Sequence, residues 1–438
     1  MTKISKNEEL YLEAKQYIPG GTQLLSKRPE MFIPDGWVNY AERAKGCEVW
    51  DLEGKKYIDM ITMGIGSCTL GFADEDVNNA VKAVIDKGNM SSLNSPEEVA
   101  LAKLLVKMHP WAEMARFTRS GGEAMSVAVR IARAASQKDI VLFCGYHGWH
   151  DWYISANLAD NKLLDGQLLP GLEPRGIPRN LTETSIPFNW NNTEEFLSLI
   201  KKYDGKVGVV VVESVRNFQP EKEFIETIRK VTKEKGICLI IDEITSGFRI
   251  NLGGAHLVYG IEPDMAVFAK AISNGYPFGA VIGKRYIMQS AQDTFISSTF
   301  WTERIGTVAA LATIEKMKAL NVQDRLQAVG KAVQEGWQAL AQKHGLKIHL
   351  SGIYPLSHFQ FETENPLLEK TVFTKIMLEY DFLASTVLYS SYAHTDKVIE
   401  DYLKAVDLAF GRISKMSNEE KMQFINGKIC HSGFKRLN

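Results

Sequence analysis

At 438 residues the chain is longer than one ordinary hydrophobic core usually fills, so a large domain and a smaller companion are expected. Its 45% hydrophobic and 24% charged residues exclude disordered, collagen-like and disulfide-scaffold proteins, and a net charge of −1 gives no electrostatic ground for nucleic acid or an anionic membrane as main partner. The five cysteines, Cys47, Cys68, Cys144, Cys238 and Cys430, stand apart with no C-x-x-C pair, which points to reduced thiols and the cytoplasm.

The opening MTKISKNEELYLEAKQYIPGG has acids where a secretory signal would need an apolar run. The most apolar stretches, Val207 to Val212 and Ile237 to Ile241, fall short of the roughly 20 residues that span a bilayer. Gly46 to Met60 reads as a hairpin around an EGK turn. A helix opens at Ser120, with Ala124, Val127, Ala128, Ile131, Ala132 and Ala135 on one face. Asp139 to Cys144, Val207 to Glu213, Ile237 to Glu243, Met265 to Ala269 and Gly279 to Gly283 read as strands buried on both faces. Between the second and third of these lies a helix, Glu221 to Lys235, closed by Gly236. Repeated βαβ units of this kind imply a largely parallel sheet. After Thr299 the pattern changes: helices over Gly306 to Leu320 and Gln323 to His344, strands over Lys347 to Leu350 and Ser357 to Glu362, and a helix over Thr395 to Ser414. The expected organisation is an N-terminal segment, 1–60, contributing to a small α+β domain at 306–438, with the large domain over 61–305.

Four segments carry residues suited to chemistry, each at a predicted strand end. Ser120-Gly121-Gly122-Glu123 opens a helix, and its glycines let backbone N–H groups approach an anion at the positive end of the helix dipole; a plain turn and N-cap would need the same residues. Gly145-Tyr146-His147-Gly148-Trp149-His150-Asp151 supplies a ring that would cover a flat heterocycle, or simply cap the sheet, and His147, His150 and Asp151 have spacing that would suit a metal. Asp242 and Glu243 end an apolar strand, where a carboxylate is costly unless a cation or donors meet it; an N-cap is the plainer alternative. Lys270 ends another strand, where desolvation would favour the nucleophilic amine, while snorkelling to solvent is the ordinary alternative. Together they match the contacts that pyridoxal phosphate needs: a phosphate cradle, a stacking ring at Tyr146, an acid at Asp242 for the pyridine nitrogen and an amine at Lys270 for the imine.

In these segments the sequence resembles the class III aminotransferases of the fold-type-I pyridoxal phosphate enzymes, especially the glutamate-1-semialdehyde aminomutase branch. The likeness runs through EAKQYIPGG, EVWDLEGKKYID, SGGEAMSVAVRIARA, GYHGWHD, VVVVES, LIIDEITSGFR, PDMAVFAKAISNGYPFGAVIG, SSTFW and SSYAH, in that order. It implies an α/β fold with a mainly parallel seven-stranded sheet flanked by helices, plus a smaller α+β domain, and pyridoxal 5′-phosphate as cofactor. It also implies Lys270 as the Schiff-base and proton-transferring lysine, Asp242 on the pyridinium nitrogen, and Tyr146 stacked on the ring with His147 beside it. Ser120, Gly121 and Gly122 would take the phosphate, and Glu213 would lie near cofactor and substrate. Thr299 would reach a phosphate in the neighbouring subunit, making a homodimer with a shared active site. The chain departs from the family's threonine at Gly122, from its serine- and arginine-containing segment at Thr22 to Lys27, and from a late glutamate at Thr386. The expected activity is transfer of an amino group between a donor and a carbonyl acceptor, with aminomutase-like intramolecular transfer as the alternative. A metal-assisted hydrolase using His147, His150 and Asp151 and a catalytically silent binding protein are the readings from other classes.

Overall fold

The computed structural model describes residues 5–167, 171–215 and 219–432. The chain divides into two compact units, residues 1–74 with 324–438 and residues 75–323. The first unit begins with a helix, Lys6–Tyr17, and three antiparallel strands, β1 (Ala41–Lys45), β2 (Glu48–Asp51) and β3 (Lys56–Met60). The EGK turn closes the β2–β3 hairpin: Asp51 Oδ1 accepts the N–H groups of Glu53 and Lys55, each at 2.9 Å, and Gly54 takes a φ of 79° that its lack of a Cβ permits.

The second unit is built, among the described residues, on β4 (Met114–Thr118), β5 (Ile140–Cys144), β6 (Ser185–Pro187), β7 (Val207–Glu213), β8 (Cys238–Asp242), β9 (Met265–Phe268) and β10 (Gly279–Gly283). They form one sheet in the order β4-β10-β9-β8-β7-β5-β6. The pairs from β9 to β6 are parallel, and β10 is antiparallel to both β9 and β4, so β4 again runs with β9. The strands are continuously apolar because helices cover both faces. Val141, Phe143, Val209, Val211, Ile240 and Val267 face Ala124, Ala128 and Ile131 of the Gly121–Ser136 helix. Leu142, Val210, Val212, Leu239 and Ile241 pack with Phe196 of the Thr193–Lys202 helix and with Phe224 and Ile228 of the Lys222–Lys235 helix, which Gly236 ends at a φ of 63°. The carboxyl ends of β4, β5, β7, β8 and β9 therefore share one edge of the sheet.

The chain then completes the first unit. β11 (Ile348–Ser351) and β12 (Leu356–Phe361) are followed by β13 (Phe382–Ala384), which adds in parallel to β3, and by β14 (Val387–Tyr389), which pairs with β12. Phe359, Phe361, Phe373 and Phe410 meet edge to face or tilted at the centre of this unit, and buried Trp337 donates its indole N–H to the Tyr402 hydroxyl at 3.0 Å.

The division falls at 74/75 and 323/324, where the sequence placed it at 60/61 and 305/306. The Arg304–Leu320 helix accounts for the later boundary. It packs on the Glu75–Ile85 and Pro96–Met108 helices and on the turn that begins at Lys270, burying Val308, Ala309, Ala310, Ile314 and Met317. No helix among the described residues is long and apolar enough to cross a membrane.

Candidate active site

The apolar run of β8 ends in two buried acids, and period-2 alternation sends them to opposite faces of the sheet. Asp242 follows Ile240 onto the face of the Gly121–Ser136 helix. One carboxylate oxygen, Oδ2, lies 2.7 Å from Nδ1 of His147, and Oδ1 accepts the Ile244 N–H at 2.9 Å. His147 is buried, and its Nε2 lies 3.1 Å from the Cys144 carbonyl. A carboxylate and a carbonyl are both acceptors, so only the ring protonated on both nitrogens donates to both at once.

Glu243 leaves by the other face. Its Oε1 accepts from the His256 N–H and from His256 Nδ1, each at 2.7 Å, and Oε2 accepts the Ser246 hydroxyl at 2.9 Å. Ser246 and Ser214 share a further hydrogen bond of 2.7 Å. Burial would raise the Glu243 pKa, but the donors of His256 and Ser246 outweigh it and hold the carboxyl below its ordinary range.

Lys270 follows β9 and stands in the left-handed region at a φ of 51°. For a residue with a side chain that conformation is strained and persists only where the surroundings enforce it. Here Ala271, Ile272 and Ser273 are buried directly after it. The Lys270 ammonium or amine, at Nζ, donates to the Thr245 hydroxyl at 2.9 Å, three residues beyond Asp242. Thr245 was not singled out in the sequence, although it lies inside LIIDEITSGFR; its position opposite Lys270 depends on β8 and β9 being neighbours.

The loop after β5 brings in Tyr146, whose N–H donates to Glu213 Oε2 at 3.3 Å and whose ring meets Tyr153 edge to face at 5.9 Å. Gly145, between them, has a φ of 112°, and a Cβ there would fall 2.5 Å from Glu213 Oε2, so both backbone and space require glycine. The turn after β4 lies against the β8 turn, since a Cβ on Gly121 would meet Ile244 at 3.0 Å. Ser120 caps the helix by accepting the Glu123 N–H at 3.4 Å, and the first N–H groups of a helix have no intrahelical acceptor.

Arg119, just before this turn, is a strut that the sequence did not reveal. Its guanidinium donates to the carbonyls of Thr118, Trp301 and Glu303 at 2.8 Å each, and pairs with the Glu303 carboxylate at 2.8 Å. Glu303 also caps the Arg304–Leu320 helix through the N–H groups of Ile305 and Gly306. Thr299 lies in the same exposed turn, Thr299–Thr302. The structure thus gathers Ser120, Gly121, Gly122, Tyr146, His147, Glu213, Asp242 and Lys270 at the carboxyl ends of the strands and ties the Thr299 turn to them through Arg119. It does not gather a metal site from His147, His150 and Asp151. His147 is committed to Asp242 and Cys144, and no group of three or more His, Cys, Asp or Glu side chains among the described residues is arranged to hold an ion.

Fold and site define an α/β protein whose polar side chains gather at the carboxyl edge of a mainly parallel sheet, the edge at which open sheets of this class receive ligands. The family model described as "Aminotransferase class-III" matches residues 35–352, and the chain belongs to that family. It is similar to the 3-aminobutyryl-CoA aminotransferase of Cloacimonas acidaminovorans, 28% identical over 431 residues that cover 94% of this chain and 99% of that protein. It is also similar to the glutamate-1-semialdehyde 2,1-aminomutase of Methanocaldococcus jannaschii, 30% identical over 431 residues covering 93% and 98%. Among solved structures, the FumI protein of Sphingopyxis sp. MTA144, solved in its PLP form, superposes with a TM-score of 0.85 at 25% identity, over 93% of this chain and 96% of that one.

Proposed function

We propose that this class III aminotransferase moves an amino group from an amine donor to a separate carbonyl acceptor, with pyridoxal 5′-phosphate as its cofactor. The observation that carries the reading is the meeting, at one sheet edge, of Lys270 Nζ, the Asp242–His147 pair and the open amino end of the Gly121–Ser136 helix. The residues fit the cofactor: an anionic acceptor stands ready for a ring nitrogen, a primary amine for an aldehyde, and backbone N–H donors for a phosphate. When bound, the cofactor supplies an aldehyde that amines can join and an electron-poor ring that draws charge from the substrate's α-carbon.

The chain's own residues do the rest. Asp242 holds a proton at the ring nitrogen, and His147, 2.7 Å from the carboxylate, keeps it aimed. Lys270 Nζ takes the proton from the substrate's α-carbon and returns one, as a general base and then a general acid. The hydroxyl of Thr245 orients that amine. Tyr146 covers the ring, Ser120, Gly121 and Gly122 bind the phosphate, and Glu213 lies on the substrate side. The exposed Thr299 turn supports a homodimer in which each protomer's Thr299 reaches the partner's phosphate, and the enzyme works in the cytoplasm.

The aminomutase reading has support in the 30%-identical archaeal relative. The departures at Thr22 to Lys27 and at Thr386 favour intermolecular transfer. Two experiments test these statements. Borohydride reduction of cofactor-saturated protein followed by peptide mapping is expected to place the label on Lys270; a label elsewhere overturns the assignment. Titrating a panel of amines and amino acids is expected to shift the visible band of the cofactor and release one carbonyl product per turnover, whereas conversion of a single substrate without released product would establish the aminomutase.

A further inference from the structure

His150 sits where Gly122 leaves room. A Cβ built on Gly122 would fall 3.0 Å from both Cε1 and Nδ1 of the His150 ring, and 3.7 Å from the indole nitrogen of Trp149. The two rings are stacked, with centroids 4.2 Å apart and planes 25° from parallel, so the outer Trp149 holds the imidazole against the turn. Gly148, at a φ of 104°, brings the loop backbone so near that its own Cβ would lie 3.1 Å from Gly122 Cα. The edge of the ring that faces Gly122 carries Nδ1, which is buried and has no hydrogen-bond partner among the described residues. An imidazole nitrogen shielded from water and left unpaired is unfavourable, and such a group in a native fold calls for a partner that the protein itself does not supply. The nitrogen lies at the amino end of a 16-residue helix whose first N–H groups face the same space, so the missing partner is an acceptor and an anion.

We propose that His150 is a phosphate-binding residue: its ring fills the place of the side chain that Gly122 lacks and presents a ring N–H to a phosphate monoester seated on the Ser120–Gly122 turn. The proposal rests on the cofactor reading above and deepens it. It gives Trp149 a task as well, since an indole stacked on the outer face restrains the plane of the imidazole so that an edge of the ring meets the turn. His147 and His150, three residues apart, thus serve opposite ends of one ligand, the first through Asp242 and the second at the phosphate.

The test compares pyridoxal 5′-phosphate with pyridoxal, which lacks the phosphate, in equilibrium binding to the full chain stripped of cofactor, with inorganic phosphate as competitor. His150→Ala is expected to weaken pyridoxal 5′-phosphate by about 10- to 100-fold, as loss of a hydrogen bond to a charged group does, while pyridoxal binds as before and inorganic phosphate competes less well. Gly122→Ser alone is expected to weaken the phosphorylated ligand by crowding the ring, and Gly122→Ser with His150→Ala to recover most of the affinity, because the serine hydroxyl then occupies the vacated space. Unchanged binding of pyridoxal 5′-phosphate by His150→Ala, or an equal loss for both ligands, would overturn the proposal and reduce His150 to packing. A parent protein that binds neither ligand at Lys270 would overturn the cofactor reading and this proposal together, an outcome that leaves a different signature from failure of the histidine alone.

Discussion

Asp242 and Glu243 are neighbours on one strand, each buried and each 2.7 Å from the Nδ1 of a histidine, but their surroundings assign them different work. His147 faces two acceptors, Asp242 and the Cys144 carbonyl, and its full donation requires the charged ring. His256 faces the Glu243 carboxylate on one side and the indole N–H of Trp111, at 3.2 Å, on the other, so the neutral ring satisfies both. Behind it His109 stacks at 5.4 Å, its pKa pushed down to about 4 by burial, and contributes no cation. The first pair lies at the carboxyl edge of the sheet, where His147 and the Ile244 N–H fix the two oxygens of the Asp242 carboxylate. The second is a closed lock, in which Glu243 ties the Ala255–Val258 turn to the strand and to Ser246. An acid at the end of an apolar strand is therefore no guide to catalysis until its partners are known.

Four substitutions test that contrast. Lys270→Ala is expected to lower kcat by about 10³-fold or more with the fold intact, as removal of a general acid–base does; near-normal turnover would remove the lysine from its role. Asp242→Asn keeps the shape and loses the charge, so kcat should fall about 10²-fold while the cofactor is retained weakly; an unchanged rate would show that charge at the ring nitrogen is unimportant here. Glu243→Ala should leave kcat per folded molecule near that of the parent but cost about 3 kcal/mol in urea unfolding, because the donors of His256 and Ser246 lose their acceptor. A kcat loss comparable to that of Asp242→Asn would erase the distinction between the two acids. Thr245→Val is expected to have the mildest result, about 1 kcal/mol or roughly fivefold in kcat, restored by Thr245→Ser; equal rates in both variants would show that the hydroxyl does not orient Lys270.

Much of the large unit can be read from residue order. β7 and β10 run over the residues expected, Val207–Glu213 and Gly279–Gly283, and the Lys222–Lys235 helix ends at Gly236 as anticipated. β6, β13 and β14 have three residues each and were not anticipated, because a run that short has no measurable period. Asp242 and Lys270 stand out in the same way, as polar groups ending apolar strands. Thr245, Arg119 and His256 do not, since a threonine in a turn, an arginine before a glycine pair and a histidine in a short helix are ordinary in themselves.

Local patterning, then, was enough to establish the alternation of strands and helices, the edge of the sheet that carries polar groups, and the residue types a phosphorylated aldehyde would need, because periodicity and strand ends are properties of near neighbours in the chain. Which histidine meets which acid, which hydroxyl meets Lys270, and that the His150 ring lies on Gly122 came from the folded chain alone. Those pairings join residues that are distant in sequence or separated by a tight turn, and their geometry exists only after β5, β8 and β9 have been laid side by side and the helix from Gly121 has been packed across them.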